Sequence, residues 1–236
     1  MWCPEALVEA CIAALRAEAE RLDAEQAVHG LDALDETDFH PILASGLTGA
    51  GLGVIREQPY PGVPARRARH AERERCDLVV LDRPGMRLLD ETVEFRVRDR
   101  ALGTLFEQAA ADEPMPADAV PAGEAVWLEV KAVGQFTYVE GFAGPNRRYS
   151  AELVGGPLAD ARKLSADRSI RRAGVVVVLF TVDAATAEHD LHALVHKALD
   201  RDLPVGSPII QGFDMTDRIG NARCTVALVP VRSRHD

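Results

Sequence analysis

The stretch WLEVKAVGQF, Trp127 to Phe136, sets a carboxylate and an ammonium two residues apart inside an apolar run. Successive side chains of a strand alternate between its faces. Trp127, Glu129 and Lys131 therefore share one face, and Leu128, Val130 and Ala132 the other. Glu129 and Lys131 then lie about 7 Å apart along the strand. Burying a charge costs several kcal/mol unless a partner or a metal compensates it. A core strand keeps such a pair near one end, where it reaches a cleft. The plain alternative is an exposed pair at a strand end, worth under about 1 kcal/mol.

A second stretch strengthens the cleft reading. CDLVVLD, Cys76 to Asp82, is apolar on both faces and reads as another central strand, with Asp77 at its start. If the two strands are neighbours, Asp77 and Glu129 converge at one sheet edge. Two convergent carboxylates form a hard, oxygen-rich site suited to Mg²⁺ or Mn²⁺, to which the Val130 carbonyl adds a further ligand. Lys131 beside that cation would orient or deprotonate an attacking water, or offset charge on a phosphate.

Asp77 followed by Glu129-Val130-Lys131 resembles the PD-(D/E)XK, restriction-endonuclease-like nuclease superfamily. Cys76 stands where the name has proline. The resemblance runs from roughly residue 53 to residue 183, with the leading helices completing it. It implies an α/β fold, a mixed β-sheet flanked by helices with an αβββαβ core. It also implies metal-dependent cleavage of phosphodiester bonds, with Asp77 and Glu129 as metal ligands and Lys131 as the catalytic lysine. Many members add an acidic residue from the first helix or the preceding strand, and Glu57 is the match here. Gln135 is similar to polar residues that position water in some members. Asp77 and Glu129 are 52 residues apart, more than in compact members, which makes 83–124 an insertion between the second and third core strands. Tyr138 follows Gln135 by three, so the exonuclease pattern Gln-x-x-x-Tyr is not matched.

Outside this region, apolar three- and four-residue spacing predicts a helix from Pro4 to about Val28, stopped at Gly30. A second is predicted over Asp38–Leu47, capped by Asp38. Gly53–Gln58 reads as a strand. Residues 134–149 read as a hairpin or loop, and Pro157–Arg172 as a helix. GVVVVLFTVD (174–183) reads as a buried strand, Ala185–Asp200 as a helix and 223–232 as a last strand. The string GLTGAGLG lacks the Lys-Ser/Thr of a phosphate loop and reads as a helix stop. His189, His192 and His196 share a helix face and read as a polar face or an oligomer contact. The whole is one domain, 1–236, with N-terminal helices over 1–52.

With 236 residues and 47% hydrophobic side chains, the chain can bury a large core. No apolar run approaches the length of a membrane span. The start lacks a basic n-region, and the four cysteines form no CxxC, so a reduced, cytoplasmic protein is expected. A net charge of −10 argues against a generic polyanion coat. The basic charge is local instead. ARRARHAERER (65–75) brings Arg73 and Arg75 next to Asp77, and Arg147 and Arg148 end the loop after the Glu-Lys strand. With Lys163 on the following helix, these are candidate phosphate contacts.

Together these readings describe a Mg²⁺- or Mn²⁺-dependent nuclease, a DNA endonuclease of defence or repair targeted as a homodimer or by a partner protein. A non-enzymatic binding or assembly module of the same fold, and a nuclease acting on RNA, remain open.

Overall fold

RAGVVVVLFT, Arg172 to Thr181, is buried from its second residue to its last and lies inside the sheet. A strand covered on both faces must be apolar on both, and its run of valines meets that demand. The computed structural model describes residues 3–62, 74–89, 116–139 and 141–234. In it this strand, β8, belongs to a six-stranded mixed sheet ordered β1-β2-β5-β8-β10-β9. The others are β1 (Gly53–Pro59), β2 (Arg75–Leu81), β5 (Val126–Gly134), β9 (Ile209–Asp214) and β10 (Arg223–Val231). β1, β2 and β5 form an antiparallel meander. β8 runs parallel to β5, and β10 and β9 return antiparallel. The fold is thus mixed α/β, a mixed central sheet flanked by helices.

Two pairs of helices cover the two faces. α1 (Pro4–Ala24) and α2 (Glu36–Gly49) bury Leu7, Cys11, Leu15, Phe39, Leu43 and Leu47 against Leu78, Leu128, Val130 and Val176. Gly46 lets α1 and α2 approach closely: a Cβ there would lie 2.5 Å from the Ala10 carbonyl oxygen. On the other face, α3 (Tyr149–Ala166) and α4 (Ala184–Leu199) pack Leu158, Leu164, Leu191 and Leu194 onto Val79, Trp127, Val175 and Val177. Trp127 is fully buried, donates its indole N–H to the Ala122 carbonyl at 2.9 Å and stacks on Tyr60. Truncating it to alanine is expected to cost about 3–5 kcal/mol.

Several boundaries differ from the sequence reading. α1 ends at Ala24, and Gln26 turns the chain at φ 51° before Gly30 is reached. The cap of α2 is Asp35, not Asp38. Asp38 is the third helical residue, and its carboxylate accepts the Asp35 N–H at 3.1 Å. α3 begins at Tyr149, eight residues before Pro157, so Gly155-Gly156-Pro157 lies inside a helix rather than before one. β9 has no counterpart in the sequence reading: IIQGFD is a short edge strand whose glycine masks its pattern.

Residues 134–149 contain the hairpin β6 (Phe136–Val139) and β7 (Phe142–Pro145). Of the stretch 83–124, the described parts include a small parallel pair, β3 (Arg87–Leu88) with β4 (Ala119–Val120). Among the described residues, no helix is long and apolar enough to cross a membrane.

Candidate active site

β2 and β5 pair through Val80–Val126, Val79–Trp127 and Leu78–Leu128, and there the ladder stops. The next pair would be Asp77 with Glu129. Instead Asp77 Oδ2 accepts the Val130 N–H at 2.7 Å, and the Cys76 thiol approaches the Leu128 carbonyl at 3.3 Å. The strands fork at this point while β5 stays paired with β8 through Gly134. A fork between two otherwise buried strands lets acidic side chains reach into the sheet without breaking its core.

Glu129 is 2% exposed. The Tyr60 hydroxyl donates to its Oε1, and the Lys163 ammonium stands 3.7 Å from the same oxygen. Burial, then the negative charge of Asp77, pushes the Glu129 carboxyl up from 4.5 to about 8, against the pull of the Tyr60 hydrogen bond. Burial likewise drives the Tyr60 phenol upward, so it stays a donor.

Lys131 lies on the α3 side of β5. Its Nζ donates to Glu36 Oε1 at 2.8 Å and to the Val130 carbonyl at 3.0 Å, with Asp160 Oδ2 at 3.2 Å. Burial opposes the ammonium form, but Glu36, Asp160 and Asp77 outweigh it and hold Lys131 above the ordinary lysine range. A proton so held makes Lys131 a fixed positive charge rather than a base. Gly156 makes room for its stem: a Cβ there would lie 3.1 Å from Lys131 Cδ. This close approach accounts for a glycine in mid-helix, where it costs roughly 1 kcal/mol of propensity.

On the opposite side of the fork, His40 of α2 lies between two carboxylates. Its Nδ1 is 3.2 Å from Glu57 Oε1, and its Nε2 is 3.8 Å from Asp77 Oδ1. His40 is 3% exposed, and its Nε2 has no hydrogen-bond partner among the described residues. Glu57 reaches it from a left-handed backbone, φ 54°, which few non-glycine residues adopt. The Arg75 guanidinium holds that bend by donating to the Glu57 carbonyl at 2.9 Å. One donor atom each from His40, Glu57 and Asp77 falls within 4.8 Å of the others.

This donor set fits a divalent cation. With the imidazole proton on Nδ1 and directed to Glu57, the Nε2 lone pair is left for a ligand beside Asp77. His40 has no motif around it in the sequence. Its one signal is position, since it precedes Leu43 and Leu47 by three and seven residues on the buried face of α2.

The remaining candidates are more dispersed. Gln135 Oε1 accepts the Val182 N–H at 3.0 Å, which fastens the end of β8. Arg147 and Arg148 are exposed at the start of α3, and Arg148 faces Glu152 at 3.5 Å. Arg75 is exposed at the start of β2, while Arg73 lies outside the described residues. His189, His192 and His196 are exposed on α4. Among the described residues they form no metal-competent cluster.

No family model matches the chain, and neither a curated protein nor a solved structure matches it.

Proposed function

We propose that this protein is a metal-dependent phosphodiesterase acting on nucleic acid, most simply a DNA endonuclease, built on a restriction-endonuclease-like core. The observation that carries the proposal is the cluster of His40, Glu57 and Asp77, one donor atom each within 4.8 Å of the others, at the β2–β5 fork whose other strand carries Glu129 and Lys131. The meander β1-β2-β5, followed by α3 and a β8 parallel to β5, supports the core assignment.

Asp77, Glu129 and His40 would hold the cation, and Glu57 would orient His40 or add a ligand. The Val130 carbonyl, which accepts from Lys131, would offer its second lone pair to the cation. A bound divalent ion would supply Lewis acidity toward a phosphate oxygen and lower the pKa of an attacking water. Lys131 places a permanent positive charge where negative charge gathers on the phosphate. One imidazole among carboxylates favours Mn²⁺ relative to Mg²⁺, because nitrogen donors suit the softer ion.

The test is cleavage of supercoiled plasmid, linear duplex, single-stranded DNA and RNA with Mg²⁺, Mn²⁺ or EDTA, with Lys131→Ala and Asp77→Asn in parallel. Metal-dependent cutting lost in both variants is expected. Equal cutting by all three proteins rejects the site.

One observation favours a second reading, a binding module that retains the fold. Lys131 is already engaged by Glu36, Val130 and Asp160. Nucleic-acid binding with no cutting and no calorimetric metal signal would support that reading.

A further inference from the structure

The chain has 27 basic residues, of which three are lysines: Lys131, Lys163 and Lys197. Two of the three meet at one buried carboxylate. Asp160, on α3, is 4% exposed. Its Oδ1 is 2.7 Å from Lys163 Nζ, and its Oδ2 is 3.2 Å from Lys131 Nζ. Lys163 in turn stands 3.7 Å from Glu129 Oε1.

An i,i+3 ion pair on a helix surface would be the ordinary explanation of Asp160 with Lys163, and such pairs contribute little. That explanation does not cover Lys131, which comes from another element, or the burial of Asp160. A desolvated carboxylate persists only with cations at close range. The choice of lysine is also informative. An ammonium is a compact charge with three rotatable donors, so two can share one carboxylate; the planar guanidinium used almost everywhere else in this chain is bulkier and less adaptable. The approach of Lys131 to Oδ2 is off the hydrogen-bonding direction, since that oxygen has no hydrogen-bond partner among the described residues. Asp160 therefore holds Lys131 by charge while Glu36 and the Val130 carbonyl take its hydrogens. Beside Lys163, a cleft of about 440 Å³ opens among the described residues, bordered by Tyr60, Gly62, Glu74 and Arg168.

We propose that Asp160 is a positioning residue that holds Lys131 and Lys163 together beside Glu129, and that Lys163 is a second cation offered to a substrate phosphate. The role of Lys163 rests on the phosphodiesterase reading; the joint positioning of the two ammonium groups does not.

The small number of lysines makes the test direct. Uniform ¹⁵N labelling gives three side-chain ammonium resonances, and those held in ion pairs exchange slowly with water. Asp160→Asn is expected to shift and broaden the Lys131 and Lys163 signals, to leave Lys197 unchanged, and to be reversed by Asp160→Glu. Unmoved Lys131 and Lys163 signals overturn the positioning role. If Asp160→Asn does not fold, Lys163→Met replaces it: Asp160 then serves Lys131 alone, and an unmoved Lys131 signal overturns the proposal. In cleavage assays, Asp160→Asn and Lys163→Met should each lower kcat about tenfold or more. Their combination should fall little further, because they act as one unit. Shifted resonances without any cutting by wild type would reject the phosphodiesterase reading and leave the positioning intact. Cutting unaffected by Lys163→Met would reject the second cation.

Discussion

Asp77 occupies the hydrogen-bonding slot that a continued β2–β5 ladder would fill, its Oδ2 accepting the Val130 N–H at 2.7 Å. One carboxylate thus terminates a strand pair and faces the candidate metal donors. The two duties separate by substitution. Asn at position 77 keeps an oxygen for the Val130 N–H, so Asp77→Asn should change stability by less than about 1 kcal/mol while abolishing cation binding and cutting. Asp77→Ala leaves that N–H unsatisfied and should cost about 1–3 kcal/mol more. Thermal melts with calorimetric Mn²⁺ titration check both, and undiminished Mn²⁺ binding by Asp77→Asn would remove Asp77 from the ligand set.

His40 makes the donor set mixed in nitrogen and oxygen. Wild type should bind Mn²⁺ more tightly than Mg²⁺. His40→Ala should weaken Mn²⁺ binding by more than about tenfold and Mg²⁺ binding less, narrowing the preference. A preference that survives the substitution would mean that the imidazole is not a ligand.

The Glu129 carboxyl gives a pH dependence with a defined sign. Its value rises from 4.5 in the ordinary carboxyl to about 8 in the fold. The folded state therefore holds a proton that the unfolded chain releases. The stabilisation is complete below about pH 4.5 and is lost as pH rises through about 8. Without divalent ions, wild type should lose thermal stability across that window, and Glu129→Gln should lose less. Mn²⁺ affinity should rise over the same range, because binding requires the ionised carboxylate. Parallel slopes for the two proteins would contradict this account.

Lys131→Met should reduce cutting by about two orders of magnitude or more, the scale of one electrostatic stabiliser lost from a preorganised site. Lys131→Arg should restore little, since the guanidinium must thread past Gly156 and cannot place its charge at the same point. Full activity in Lys131→Arg would indicate that only bulk charge matters.

How much was legible in the sequence varied with how local the cause was. The Glu-Lys strand and the Asp77 strand could be read because buried strands have a strong apolar signal that three polar residues interrupt. Their adjacency, β2 beside β5, followed only from assuming a fold. α3 was misplaced because Gly155-Gly156-Pro157 is a strong local breaker, and its reason, the stem of Lys131, lies on another element. His40 was missed for the same kind of reason: one histidine on an apolar helix face becomes a candidate ligand only when Glu57 and Asp77 arrive from elsewhere. Asp160 precedes Lys163 by three residues in the sequence, and its burial and its second partner, Lys131, come only with the fold.

Glu57 shows what such an arrangement means for the evolution of this chain. A glutamate at φ 54° adopts a conformation that glycine takes freely, at a cost of about 1 kcal/mol or more. Drift under selection for thermal resistance alone should therefore favour Glu57→Gly or Glu57→Asn, and each would deprive His40 of its carboxylate. Libraries selected for heat tolerance and for cation affinity should diverge first at this position, so that the most readily stabilised forms of the protein are also those least able to use His40.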